Sequence, residues 1–377
     1  MTHQKKLEFP LSEQLIYLNH AAVAPWPKRT SQAVIDFANQ NTTYGTKFYP
    51  EWLHKEKQLR HQLKTLLNAP SVEDIALVKN TSEALSFVAY GLSWRDGDNI
   101  VSSQVEFPSN RIPWQSLINQ GVEFREADLS TNSTPEQALF DLVDRKTRLI
   151  TISSIQFASG LRMDLRIIGE FCKKNNILFC IDAIQSIGAV EFDVQEYQAD
   201  FVMADGHKWM LGPEGLGVFY TTPEARDKLE LTQFGWHMIE DIHNYENKPW
   251  SIHPGAKRFE CGSPNMLGIH ALSASLSLLL ETGMSEVEHQ VITNAEYLIE
   301  KIQQSSELKL LSLAGSKLKS GIVVFAHRTY SNGELFKHLQ SSDVMCALRG
   351  EGIRFSPHFY NSFDELDQAL EIGEYQQ

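Results

Sequence analysis

The chain has 377 residues, enough for one large α/β domain with a smaller companion or for two or three domains. Apolar residues make up 42% of it, which supports a substantial core, and the charged share of 21% is ordinary for a folded protein in water. A net charge of -13 argues against nucleic acid as a partner, and no stretch approaches the roughly 20 apolar residues of a membrane-spanning helix.

An apolar run at 75–78 precedes Thr81-Ser82-Glu83-Ala84, and 85–90 fits a packed helix. Strands are predicted at 99–103 and 149–154, the second followed by a helix over 165–175. Residues 177–181 and 201–204 read as two buried strands, and 218–220 as a further one after Gly212, Gly215 and Gly217. This β-α-β rhythm predicts an α/β fold whose large domain, residues 16–260, holds a mostly parallel sheet under covering helices. Beyond it, helices at 267–280 and 286–303, a strand at 321–325 and a helix at 363–372 predict a smaller C-terminal α/β domain over 261–377. Residues 1–15 are expected to pack with that smaller domain. The most apolar segment, 271–280, is too short for a membrane span and reads as a buried helix. No apolar run follows the first residues, so the expectation is a cytoplasmic protein. Cys172, Cys180, Cys261 and Cys346 form no CxxC spacing, which predicts reduced thiols and no metal site.

Polar residues close the two middle strands. Asp182 follows 177–181, and Asp205-Gly206-His207-Lys208-Trp209 follows 201–204. In an open parallel sheet, ligands sit at the C-terminal ends of the strands. A lysine and a carboxylate placed there can hold opposite ends of one ring, the arrangement that pyridoxal phosphate (PLP) chemistry needs. Singly, each residue has a plainer explanation: a solvated strand end for the lysine, a helix N-cap for the aspartate. The pair, with Gln185 and His207 beside it, turns the reading toward PLP.

In that reading Lys208 is the cofactor's imine partner and the base at the substrate Cα, and burial lowers its pKa in the needed direction. Asp182 keeps the ring nitrogen protonated, and Gln185 donates to the ring's phenolic oxygen. His207 sits against the phosphate or orders the lysine loop. Thr81 and Ser82 offer hydroxyls and backbone N–H groups to a phosphate at a helix N-terminus. Read alone, they fit a plain N-cap better than a phosphate site. Arg354, beside a predicted strand, suits a bidentate clamp on a substrate carboxylate, with a surface ion pair as the plain alternative.

The chain resembles the class-V aminotransferase group of PLP enzymes, which includes cysteine desulfurases, kynureninases and isopenicillin N epimerases. The likeness runs from Tyr17-Leu18-Asn19-His20-Ala21-Ala22 to Ser356-Pro357-His358-Phe359-Tyr360-Asn361. The stretches at 182–185, 205–209 and 258–265 carry it most specifically. It implies a fold-type-I large domain, a small C-terminal domain, and a homodimer with active sites at the interface. It further implies that Ser263 reaches the phosphate of the neighbouring subunit's cofactor, that Thr81 and Ser82 contact phosphate, and that Arg354 anchors the substrate carboxylate. By position in the family, His20 and Gln156 join the substrate pocket.

Three departures bear on the reaction. Phe107 stands where desulfurases place a histidine over the ring, and a phenyl ring can stack but carries no proton. Cys346 lies in an apolar stretch and reads as a buried structural thiol, which argues against persulfide chemistry. Asp205 stands where many members have a hydroxyl residue, and a carboxylate there would repel a phosphate. The resulting expectation is a PLP enzyme acting at the Cα of a small amino acid, with transamination placed first. A side-chain lyase comes second, an epimerase third, and a non-catalytic PLP-binding protein last.

Overall fold

The computed structural model describes residues 7–130, 134–242, 244, 246, 249–312 and 320–374. A short strand, β1 (Ile16–Tyr17), leads into two long helices, α1 (Lys28–Tyr44) and α2 (Tyr49–Leu67). Along α2, Trp52, Glu56, Leu59, Leu63 and Leu66 are buried, the three-and-four spacing that a helix winds onto one face. The helix stops at Asn68, whose φ of 48° is a left-handed conformation that asparagine tolerates.

Strands and helices then alternate. They are β2 (Ile75–Val78), α3 (Thr81–Gly91), β3 (Asn99–Ser103), β4 (Glu123–Ala127), β5 (Thr147–Ser153), α4 (Leu165–Asn175), β6 (Leu178–Asp182), β7 (Phe201–Asp205) and β8 (Gly217–Thr221). The strands form one seven-stranded sheet in the order β2-β8-β7-β6-β5-β3-β4, with only β8 antiparallel to its neighbours. Each central strand is buried on both faces. In β6, Phe179 and Ile181 enter the core shared with α2, while Leu178 and Cys180 enter the core shared with α3. Burial on both sides is why these strands read as unbroken apolar runs and not as alternation. From β3 the chain goes outward to β4, then returns to β5 on the other side of β3. That reversal opens a crevice at the C-terminal ends of the strands.

Helix α5 (Met266–Thr282) packs on α1 and α2 and buries Leu272, Leu276 and Leu279 in the larger core. The larger core thus extends past 261, where the smaller domain was expected to begin, and a second core takes up Ala295 and Leu298 of the next helix, α6 (Met284–Gln304), together with Ile16 and Leu18. The sequence signal was the change from strands to helices, but α5 is apolar on nearly all sides and is claimed by the larger sheet. Among the described residues no single helix is long and apolar enough to cross a membrane; α5 and α6 meet at an 85° bend.

The second unit holds β9 (Leu308–Leu310), β10 (Val323–His327), α7 (Asn332–Ser341), β11 (Val344–Met345), β12 (Ala347–Arg349), β13 (Gly352–Phe355) and α8 (Phe363–Gly373). Its four-stranded sheet, β12-β13-β10-β9, is antiparallel throughout. The N-terminal segment is tied to this unit. β1 pairs in parallel with β11, Asn19 bridges to Ser356, and Phe9 stacks on Tyr360 with ring centroids 3.6 Å apart. Residues 1–6 lie outside the described residues.

Candidate active site

The parallel strands all end on one edge of the large sheet, and the loops that leave them enclose a cavity of about 240 Å³. Larger clefts, of about 590 and 360 Å³, lie around Arg162 and around Arg60, but neither has a lysine facing a buried carboxylate at strand ends. The smaller cavity does, with Asp182 from the end of β6 and Lys208 from the turn after β7.

That turn is held by backbone bonds from Gly206 N to Leu216 O (2.9 Å) and from Gly212 N to Gly206 O (2.8 Å). A Cβ on Gly206 would lie 2.9 Å from the Leu216 carbonyl oxygen, so the tight approach requires glycine. Lys208 is buried, with Nζ 5.5 Å from the centroid of the Phe107 ring. Loss of solvent pushes its pKa down to about 8; Asp182 opposes the shift and Arg354 adds to it. The Asp182 carboxylate accepts a hydrogen bond from Ile184 N at 3.1 Å. Burial raises its pKa to about 7, with a further push from the Glu106 charge.

At the start of α3 the cap is Asn80, whose side chain accepts from Glu83 N at 2.9 Å. Thr81 and Ser82 are thus the first two helical residues and not the cap. Their backbone N–H groups belong to the unbonded first turn of the helix, which favours an anion. Thr81 Oγ1 is buried with no partner among the described residues, while Ser82 Oγ donates to Ser109 Oγ at 2.8 Å. Both residues line the cavity, as does His207, whose Nδ1 lies 3.2 Å from Asp205 Oδ1 but is not aligned to bond it. The Asp205 carboxylate instead accepts from Gly206 N at 2.8 Å, and so is turned partly into its own turn.

Phe107 lies edge-to-face against Phe157, with centroids 5.2 Å apart, and together they form an apolar wall. Arg354, on β13, is 1% exposed. Its Nη1 donates to Phe157 O at 2.8 Å, and its buried Nε has no partner among the described residues. Burial and the nearby Arg349 lower its pKa to about 10. Gln185 also lines the cavity, but its amide is engaged behind it: Nε2 donates to Ala21 O at 3.1 Å and Oε1 accepts from Trp209 Nε1 at 2.8 Å.

Three expected site residues lie elsewhere. His20 is fully buried between Ser356 O (2.8 Å from Nδ1) and Tyr360 Oη (2.6 Å from Nε2), and burial holds its pKa well below the usual value. Gln156 is buried too, and donates from Nε2 to Glu106 at 2.7 Å. Neither is among the described residues that line the cavity, and among the described residues Gln156 Oε1 is buried without a partner. Ser263 lines a separate cleft with Lys79, Glu83 and Cys261, and the part expected of it lies across a subunit boundary.

The cavity also contains Asn80, Ser109, Phe157 and Arg349, which the sequence reading did not single out. Behind it sits Glu106, a buried carboxylate receiving hydrogen bonds from Ser103, Asn110, Ser153 and Gln156. Its position one residue before Phe107 was a signal. Nothing in the spacing revealed the converging donors, which come from two strand ends and their loops.

The sequence model of the aminotransferase class-V family matches residues 16–368. The chain belongs to the class-V aminotransferase family. Among curated proteins, this family member is 28% identical to a probable cysteine desulfurase of Methanothermobacter thermautotrophicus, aligned over 97% of this chain and 95% of the relative. It is also 28% identical to a cysteine desulfurase of Klebsiella pneumoniae, over 97% and 96%. Among solved structures, the class-V fold superposes on a cystine C–S lyase in complex with its product cysteine persulfide, with TM-score 0.90, 21% identity, and 98% and 100% coverage. It superposes on the apo cysteine desulfurase of Thermococcus onnurineus NA1 with TM-score 0.87, 23% identity, and 99% and 97% coverage.

The donor set of this family member fits PLP. The unpartnered Thr81 hydroxyl and the first turn of α3 suit a phosphate, Asp182 suits a protonated ring nitrogen, and Lys208 is an amine poised to lose its proton near neutral pH.

Proposed function

We propose that this protein is a PLP-dependent lyase that removes a leaving group from the Cβ of a small amino acid. The observation that carries the reading is the buried Lys208 amine facing the same cavity as the buried Asp182 carboxylate. When bound, the cofactor supplies the electron sink that makes the substrate's Cα–H acidic.

The chain's own residues have distinct tasks. Lys208 takes the proton from Cα, and its lowered pKa suits that task near neutral pH. Asp182 holds the proton on the ring nitrogen. Thr81, Ser82 and the start of α3 bind the phosphate, and Arg354 holds the α-carboxylate. Phe107 and Phe157 exclude water from one side of the cavity. In sum, the Cβ–X bond breaks, X departs with the bonding pair and gains a proton, and with one water the remainder ends as pyruvate and ammonium.

The curated relatives named as cysteine desulfurases support a lyase over the transamination put first from the sequence. The chain departs from an enzyme-bound persulfide. Cys346 is buried with its thiol pKa pushed up to about 12, and the described lining of the cavity includes no cysteine. The sulfur or other leaving group therefore departs as a free product. A homodimer, with Ser263 reaching across to the neighbouring cofactor, belongs to the same proposal and is checked by sedimentation of the PLP-loaded protein.

The deciding experiment incubates the PLP-loaded protein with cysteine, cystine and S-alkylcysteines, with and without a 2-oxo acid. Equal amounts of pyruvate, ammonium and released thiol without oxo acid support the lyase. Turnover that requires the oxo acid and yields its amino acid replaces the lyase with an aminotransferase.

A further inference from the structure

On the hairpin of β12 and β13, Ala347 stands opposite Arg354 and Arg349 opposite Gly352. Directly opposed residues share a face of the sheet, as do residues two apart on one strand. Arg349 and Arg354 are therefore diagonal neighbours on one face, with Cβ atoms roughly 7 Å apart. The turn between them is only Gly350-Glu351, with Gly350 at a left-handed φ of 59°. Both side chains line the cavity that holds Lys208 and Asp182.

Two like charges facing one cavity repel, and Arg349 accordingly adds to the downward pull on the pKa of Arg354 and also of Lys208. Among the described residues, the partners of the two guanidinium groups are carbonyl oxygens: Phe157 O for Arg354 and Leu348 O, at 2.9 Å, for Arg349. An amino acid's α-carboxylate answers the inner one, Arg354, whose buried Nε has no partner. The phosphate end of the cofactor is served by the start of α3. Arg349, exposed at the mouth, is left over. Phe107 and Phe157, which also line the cavity, offer an apolar wall against which a methylene or thioether spacer can lie.

The geometry points to a substrate with a second anionic oxygen group, a carboxylate or sulfur oxyanion. Arg349 holds it at the far end of the side chain or leaving group while Arg354 holds the α-carboxylate. This deepens the function proposed above and rests on it for the assignment of Arg354. Arg349 is then a specificity-determining residue.

The test reads binding to the PLP-loaded protein by titration calorimetry, using glutarate against pentanoate, a diacid and a monoacid of equal chain length. The expected result is that glutarate binds about tenfold or more tightly, as one added charge-assisted contact implies. R349Q should bring glutarate down to the affinity of pentanoate, and R349K should restore part of the difference. Equal affinities in the unmodified protein overturn the proposal, as does a diacid preference that survives R349Q. Loosened cofactor in R349Q without any diacid preference also overturns it, and assigns the guanidinium to the phosphate. Because calorimetry needs no turnover, failure of the lyase reading leaves this result standing, and the reverse holds as well. Where turnover is present, S-carboxymethylcysteine should exceed S-carbamoylmethylcysteine in kcat/KM by a similar factor, and R349Q should abolish the difference.

Discussion

The indole of Trp209 donates a 2.8 Å hydrogen bond to Gln185, so the residue after Lys208 is fastened to the turn that follows Asp182. The other end of the same amide holds Ala21 O, which brings the N-terminal segment to the same point. One buried side chain thus fixes the spacing between the two groups on which the chemistry depends.

Replacing Gln185 with Leu leaves the Trp209 N–H buried without an acceptor, at an expected cost of about 1–3 kcal/mol. Chemical unfolding of Q185L should show this loss, and turnover should fall because the Lys208 turn is no longer clamped. Unaltered stability would remove the amide as the clamp.

Lys208 has its pKa depressed from 10.5 to about 8 by burial, so its free-base fraction rises as pH passes about 8. Covalent uptake of PLP by the cofactor-free protein should therefore speed up with pH and level off above that value, followed by visible absorption. An exposed lysine would need a far more alkaline solution. K208A should take up no cofactor covalently and lose turnover by several orders of magnitude. Below about 8 the buried ammonium opposes folding, so K208A should unfold at no lower temperature than the unmodified chain near neutral pH.

Asp182 shifts the other way, from 3.8 to about 7. Between these values the folded cofactor-free chain keeps a proton that the unfolded chain has released. The stability from this group is complete below 3.8 and is lost as pH rises through about 7. D182N removes the titration. Across this window the unmodified protein should lose at least ~1 kcal/mol relative to D182N, read from thermal unfolding at the two ends. A constant difference between the two proteins would contradict the shift. In the PLP-loaded state, D182N should fall about 100-fold or more in kcat, because the ring nitrogen loses its counter-ion.

Cys346 is 3% exposed, and burial pushes its pKa up to about 12. C346A should keep turnover within about twofold and cost only ~1 kcal/mol for the small cavity it leaves. Mass spectrometry after alkylation of the folded protein should find this thiol unmodified. A collapse of turnover in C346A would restore the persulfide mechanism.

Elements whose cause is local were legible in the chain. Strands buried on both faces appear as apolar runs, and a polar residue ending such a run marks a strand end, so Asp182 and Lys208 were visible at the edge of the sheet. The helix 165–175 was legible from its place after the strand at 149–154, and the burial of Cys346 from its apolar neighbours. Which distant segments meet was settled by packing alone. His20 was expected at the substrate but is claimed by Tyr360, 340 residues away. Helix α5 belongs to the larger core because α1 and α2, more than 200 residues earlier, offer it an apolar face. The cap before Thr81 passed to Asn80, since several nearby polar side chains can serve and only the backbone path selects one. Arg349 joined Arg354 because strand register sets which side chains share a face, and a shift of one residue would have turned Arg349 away. Local patterning carries the periodicity of a single segment; strand order and register come from the packing of all segments at once, and these bring the site together.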